Sequence, residues 1–292
     1  MLFMSLLIFS SAVRAQETDS AAAPVTEKSK ARKPVKRTFE SIWLIDNQTV
    51  MVPVKGTFEM DILHRFGVLN NGYEDFWGLF ASSNIRLGFN YSPINKLNVG
   101  FGITKYKMLW DINAKYAIIQ QTQGGGFPVS ISYYGNMGFD TRPSSNFVHY
   151  SDRLSYFNQL IIARKITSKF SAQISPSLSH TNVVNGYFSS PGKVSPERKH
   201  DHFAIAVGGR YKLTETLAIL VNYDQPITKH PSGNPHPNIS FGLEMNTSAH
   251  AFQIFAGNYN YLSPQQNNMY NPYDYTKGQF LIGFNITRLW SF

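Results

Sequence analysis

The chain has 292 residues, with 27 Lys or Arg against 18 Asp or Glu for a formal net charge of +9, and it has no cysteine. The missing cysteine excludes disulfide scaffolds, thiolate metal sites and cysteine nucleophiles. Charged residues make up 15% of the chain, below the rough quarter of a soluble domain, while aromatics reach 14%, which argues against an ordinary cytosolic enzyme and for apolar side chains exposed to something other than water.

Residues 2–9 form an apolar run, followed by Ser10, Ser11, Ala12, Val13, Arg14 and Ala15. Val13 and Ala15 suit the small-residue positions ahead of a signal-peptidase cut, so residues 1–15 read as a signal peptide cleaved near Ala15–Gln16. No Lys or Arg precedes the run; the competing reading is a short buried helix. Residues 16–41 read as a disordered basic periplasmic tail carrying Lys28, Lys30, Arg32, Lys33, Lys36 and Arg37. That run suits either a solvated linker or a binder of anionic lipid. Its charges carry no interleaved aromatics, so no nucleic acid is implied. No later run of 18 apolar residues exists, so any integral membrane form must be a closed barrel.

From Phe58 the apolar period is two, the signature of strands. Asn84, Arg86, Gly88 and Asn90 alternate with Ile85, Leu87, Phe89 and Tyr91, and Trp110, Ile112, Ala114, Tyr116 and Ile118 with Asp111, Asn113 and Lys115. Phe203, Ile205, Val207 and Tyr211 alternate in the same way with Ala204, Ala206, Gly208 and Arg210. Twelve strands follow, near 58–66, 82–92, 96–105, 108–119, 127–138, 154–166, 169–181, 201–213, 216–226, 237–246, 249–260 and 277–290. Most run ten to fourteen residues, longer than the five or six usual in soluble sheets and long enough to cross a bilayer at a tilt. Short turns at 93–95, 120–126, 167–168, 214–216 and 247–248 alternate with long loops at 67–81, 139–153, 182–200, 227–236 and 261–276, as outer-membrane barrels require. The short link at 105–107 is the exception. Pro176 interrupts the 169–181 strand, which predicts a bulge there or a different boundary.

The last strand places Phe280, Ile282, Phe284, Ile286, Trp290 and Phe292 on one side. It resembles the C-terminal strand of bacterial outer-membrane proteins, whose last aromatic residue is read by the barrel insertion machinery. The fold expectation is therefore an all-β, transmembrane, antiparallel up-and-down β-barrel of about 12 strands over 42–292, in the outer membrane of a Gram-negative cell. Outer-membrane lipid and the insertion machinery, through the strand ending at Phe292, are the implied partners.

Three segments carry a family resemblance: Thr38-Phe39-Glu40-Ser41, then Leu44-Ile45-Asp46-Asn47-Gln48-Thr49-Val50 with Pro53, then the run from Phe58 to His64-Arg65-Phe66-Gly67. Phe76-Trp77-Gly78-Leu79, Lys115-Tyr116 and Gln120 continue it in order. The chain resembles an uncharacterised Bacteroidetes family described as a membrane-bound β-barrel domain (DUF5777), over roughly residue 39 to the end. The resemblance implies fold and location; it brings no activity or catalytic residue.

With the polar strand faces inward, the lumen receives Glu59, Asp61, Arg65, Arg86, Asp111, Lys115, Arg210, Asp224 and Glu244. Five acids against four bases give no clear ion selectivity and read as a network of paired charges, with a small solute in the lumen as the functional alternative. His149, Ser151 and Asp152 supply the residue types of a nucleophilic triad, though close sequence spacing seldom gives its geometry. His180 reads as a girdle residue, and His200 and His202 as a metal pair only if more ligands converge. Gly124-Gly125-Gly126 lacks the Lys-Ser/Thr of a phosphate loop and reads as a turn. No catalytic residue, metal or cofactor is assigned. The leading expectation is a non-enzymatic barrel: a small pore, or a binding scaffold presenting aromatic loops such as Tyr259-Asn260-Tyr261 and Tyr270, Tyr273 and Tyr275. The alternatives are a barrel-embedded hydrolase and an exported ligand-binding β-sandwich.

Overall fold

The protein is described by a computed structural model covering residues 33–291. The expected signal peptide and its cleavage point, the tail up to residue 32, and Phe292 lie outside the described residues.

Two short strands come first, β1 (Trp43–Leu44) and β2 (Asn47–Gln48), paired as a hairpin. The wall begins with β3 (Thr57–Val68), β4 (Asn84–Ile94), β5 (Leu97–Thr104), β6 (Leu109–Ile119), β7 (Ser130–Asp140), β8 (Leu154–Lys165) and β9 (Phe170–Thr181). A surface hairpin, β10 (Gly186–Ser190) and β11 (Lys193–Pro196), interrupts it. The wall resumes with β12 (Asp201–Lys212), β13 (Leu217–Pro226), β14 (Asn238–Asn246) and β15 (His250–Gly257). Helix α1 (Pro264–Tyr270) precedes the last strand, β16 (Leu281–Ser291). Twelve antiparallel strands close into one barrel, sealed where β16 pairs with β3 from Leu281↔Val68 to Ser291↔Thr57.

Each strand expected from the period-two pattern is present. Outward residues such as Trp110, Ile112, Val207, Phe241, Leu243 and Ile254 remain exposed, forming an apolar belt around the wall. An eleven-residue strand spans roughly 36 Å, and at a tilt of roughly 40° it covers about 28 Å of membrane normal, matching the apolar band of a transmembrane barrel. No described helix is long and apolar enough to cross a membrane.

Pro176 needs neither bulge nor boundary. Its pairing with Ile205 of β12 is in register, while on the β8 side the ladder skips from Gln159↔Ser177 to Ile162↔Ile174. The missing N–H therefore falls in a local gap of one ladder, and the proline ring lies on the outward face. The three glycines at 124–126 all have positive φ and form the turn between β6 and β7. Short turns and the start of β3 share one end of the barrel; the long loops share the other.

Candidate functional site

The first wall strand starts at Thr57, and residues 38–50, which the sequence reading divides between tail and barrel, lie inside the lumen. Phe39, Ile42, Trp43, Leu44, Ile45 and Val50 are all buried there. Phe39, Leu44, Ile45 and Val50 pack on inward wall residues that are themselves apolar, Tyr134, Phe157, Ile161, Leu220 and Phe255, while Ile42 and Trp43 cluster with Leu63 of β3 and Leu262. Gly208 lies directly under Leu44, where a Cβ would collide with the leucine side chain. At the short-turn end the segment is held by backbone bonds from Val35 N to Gln121 O and from Gln123 N to Lys33 O.

Polar groups fix the plug in register. Asn47 Nδ2 donates to Asp224 Oδ1 at 2.8 Å and to Asn222 Oδ1 at 3.1 Å, and Gln159 Nε2 donates to Asn47 Oδ1 at 3.0 Å. Lys115 Nζ donates to Gln48 Oε1 at 2.8 Å and to the Thr49 carbonyl at 3.2 Å. Gln253 Nε2 reaches the Trp43 carbonyl and Asn285 Nδ2 that of Ile45. Both groups of every such pair are withdrawn from water, so each bond is worth having chiefly because the unmade alternative is costly.

The opposite end closes with α1. Its sequence, PQQNNMY, is poor in helix formers, and wall contacts rather than propensity hold it. Gln265 Nε2 donates to Asn136 Oδ1 at 3.0 Å, and Asn268 Nδ2 to Ser177 Oγ at 3.3 Å. Asp46, at the tip of the plug hairpin, accepts from Tyr259 OH at 2.7 Å and from Asn267 of α1 at 3.2 Å. The two inserts thus meet in mid-lumen, and the barrel is blocked from both mouths.

All nine expected lumen residues are buried on the inner face. Arg86 ties three strands together, with Nη1 on Asp61 at 2.8 Å and Nε and Nη2 on Asp111 at 2.9 Å. Its guanidinium lies against Gly88 and Gly102, where any Cβ would meet it, and 5.8 Å above the Trp43 ring of the plug. Arg210 Nε pairs with Glu244 at 2.7 Å, and Gln253 Nε2 bonds the other Glu244 oxygen. Asp224 accepts from Asn47, Asn222 and Asn238. Arg65 makes no ion pair among the described residues; Nη1 donates to Asn285 Oδ1 and the guanidinium lies 4.5 Å from the Phe255 ring centre. Glu59 stands apart from the network and opens on the short-turn mouth.

The long-loop mouth holds a vestibule of about 380 Å³, floored by Gln266. Cations cover its aromatic faces: Arg153 lies 4.4 Å from Phe147, Arg198 4.7 Å from Tyr270, and Lys107 5.6 Å from Tyr106. Burial, together with Arg142, lowers the Lys107 pKa, and burial beside Tyr106 raises that of Tyr261. Tyr261 and Tyr270 line this vestibule, whereas Tyr259 is fully buried and presents nothing outward.

The histidines weighed in the sequence as triad or metal candidates each take other partners. Asp152 caps a turn by accepting from His149 N and Val148 N, and among the described residues no hydrogen bond joins the His149 ring to Ser151. His200 bonds the Thr181 carbonyl, and His180 bonds Asp201 and Asn182. His202 turns to His230 instead, Nδ1 to Nε2 at 2.8 Å with the rings stacked. Lys199 N donates to His230 Nδ1 at 3.0 Å, so the neutral His230 ring carries its proton on Nε2 and donates it to His202. That chain latches the loop after β13 to the one before β12. Among the described residues no group of three or more His, Asp or Glu could hold a metal ion.

The fold and its filled lumen define a transmembrane β-barrel closed by parts of its own chain. The chain belongs to the membrane-bound β-barrel domain family (DUF5777), whose pattern matches residues 39–290 and so takes in the plug with the wall. No curated protein matches the sequence. The NanC porin structure is similar over 80% of this chain and 98% of its own, at 10% identity and a TM-score of 0.47. An outer membrane channel from Pseudomonas putida F1 is similar over 82% and 97%, at 12% identity and a TM-score of 0.46. LpxR from Salmonella typhimurium is similar over 79% and 99%, at 9% identity and a TM-score of 0.36.

Proposed function

We propose that this chain is an outer-membrane barrel that works as a closed binding or scaffold protein, and neither as an open diffusion pore nor as an enzyme. The observation that carries the reading is the plug. An inner wall meant to face water has no use for Tyr134, Phe157, Ile161, Leu220 and Phe255, and here those residues form one apolar cluster with Phe39, Leu44, Ile45 and Val50. Burying such side chains is worth roughly 1.5–3 kcal/mol each, so the closed state is the built one. With the short turns periplasmic and the long loops outside, the vestibule between Tyr106, Tyr261, Tyr270 and Arg198 is the surface offered to a small solute. Export with cleavage near Ala15–Gln16, and assembly through the strand ending at Phe292, belong to the same proposal.

Planar-bilayer recording tests it. The intact chain should give no unitary current steps, while a variant lacking both inserts, residues 38–50 and 264–270, should conduct. Regular steps from the intact chain would turn the reading into that of a pore.

A further inference from the structure

The short-turn mouth holds a second cavity, of about 810 Å³, roofed by the underside of the plug and walled by the ends of β3, β15 and β16. Glu59 opens on it. This glutamate is only 2% exposed, and among the described residues no hydrogen-bond donor reaches its Oε1. Asp61, Asp111, Asp224 and Glu244, the other inward carboxylates of the network, each accept from at least two side chains. Lys115, on the inner face of β6, attracts the Glu59 charge but directs its ammonium to Gln48 and Thr49 of the plug and lies beyond ion-pair distance from it. A carboxylate withdrawn from water with no donor costs several kcal/mol unless a cation or a proton compensates it.

The rest of the cavity says which cation. Glu40 and Glu215 also line it, but Arg37 pairs with Glu40 at 3.5 Å and Lys212 with Glu215 at 2.8 Å, so among the described residues Glu59 is the lining carboxylate left without an ion pair. Phe39, Ile42 and Leu289 supply apolar surface beside the carboxylate. The volume lies within the range of small-molecule sites, and the described residues hold no cluster of ligands suited to a bare metal ion.

We propose that this cavity is a binding site for a small organic cation, a primary amine on an apolar body, with its ammonium on Glu59 and its body against Phe39, Ile42 and Leu289. The site lies at the opposite mouth from the vestibule and does not depend on what that vestibule binds.

Titration calorimetry of the detergent-extracted full chain with benzylammonium and with benzyl alcohol separates the possibilities. The two probes share a body and differ in charge. The wild type should bind benzylammonium at least tenfold more tightly than the alcohol, and Glu59→Gln should erase that preference. Glutamine keeps the volume and removes a buried charge, so the variant should fold, which heat-modifiable gel mobility checks. A cavity-filling Ala251→Phe should weaken both probes together. Equal affinity for the two probes in the wild type would overturn the proposal, as it would mean that Glu59 is neutralised by a proton. Unchanged ammonium binding in Glu59→Gln, or no binding of either probe at millimolar concentration, would overturn it equally.

Discussion

Replacing Arg86 by methionine removes the cation that holds two carboxylates. The Arg86 side chain is 3% exposed, and those of Asp61 and Asp111 are 0% and 6%, so water cannot take its place. Three charge-assisted hydrogen bonds disappear, and two acids are left facing each other in the lumen. Breaking a buried pair by removing one partner costs about 3–5 kcal/mol, which is between roughly a hundredfold and a few thousandfold in the folding constant. The triple variant Arg86→Met, Asp61→Asn, Asp111→Asn removes all the charges together and should recover most of that loss, because an uncharged set leaves nothing uncompensated. Urea unfolding in phospholipid vesicles, followed by tryptophan fluorescence, reads both numbers. A loss below about 1 kcal/mol for Arg86→Met, or a triple variant no more stable than the single one, would refute the reasoning that this network is held by charge compensation.

Other consequences are as direct. Gly102→Leu should approach the destabilisation of Arg86→Met in the same urea titration, because its side chain would occupy the space of the Arg86 guanidinium. Leu44→Ala should weaken seating of the plug by about 2–4 kcal/mol, seen as faster hydrogen exchange at the Ile45 amide, which donates to Gln253 of the wall. Acid should release the loop latch. Burial and the nearby Arg198 and Lys199 hold the His230 imidazole below its ordinary pKa, so the folded loops disfavour the proton. Their stabilisation is complete above about 6.5, the unfolded value, and is lost as pH falls through the folded value. The Lys199 amide should therefore exchange faster below about pH 6.5, corrected for intrinsic rate, and His230→Phe should expose it at neutral pH by about fivefold. Equal protection of that amide across the range would remove the latch.

The wall was legible because a strand with lipid on one side and a filled lumen on the other must alternate; Ile85 to Tyr91 and Trp110 to Ile118 show nothing else. The inward charges followed from the same parity. The plug was not legible by that rule, since residues 38–50 have neither period and are stabilised by partners more than a hundred residues away, such as Asn222 and Gln253. A signal for it did exist. Leu217-Ala218-Ile219-Leu220-Val221 and Leu160-Ile161-Ile162-Ala163 break the alternation, and their inward members Leu220 and Ile161 mark the level where the plug packs. Helix α1 was hidden for another reason, because its glutamines and asparagines read as a loop until the Asn136 and Ser177 side chains that receive them are in place.

Residence of the N-terminal segment inside the barrel is the claim on which the rest depends, and a cysteine pair measures it. The native chain contains no cysteine, so Leu44→Cys with Gly208→Cys gives a clean background at two positions whose side chains would touch. In intact membranes under mild oxidation the pair should cross-link nearly completely and resist a water-soluble maleimide. Two free thiols that both react with the maleimide would place the segment outside the lumen and contradict the closed barrel.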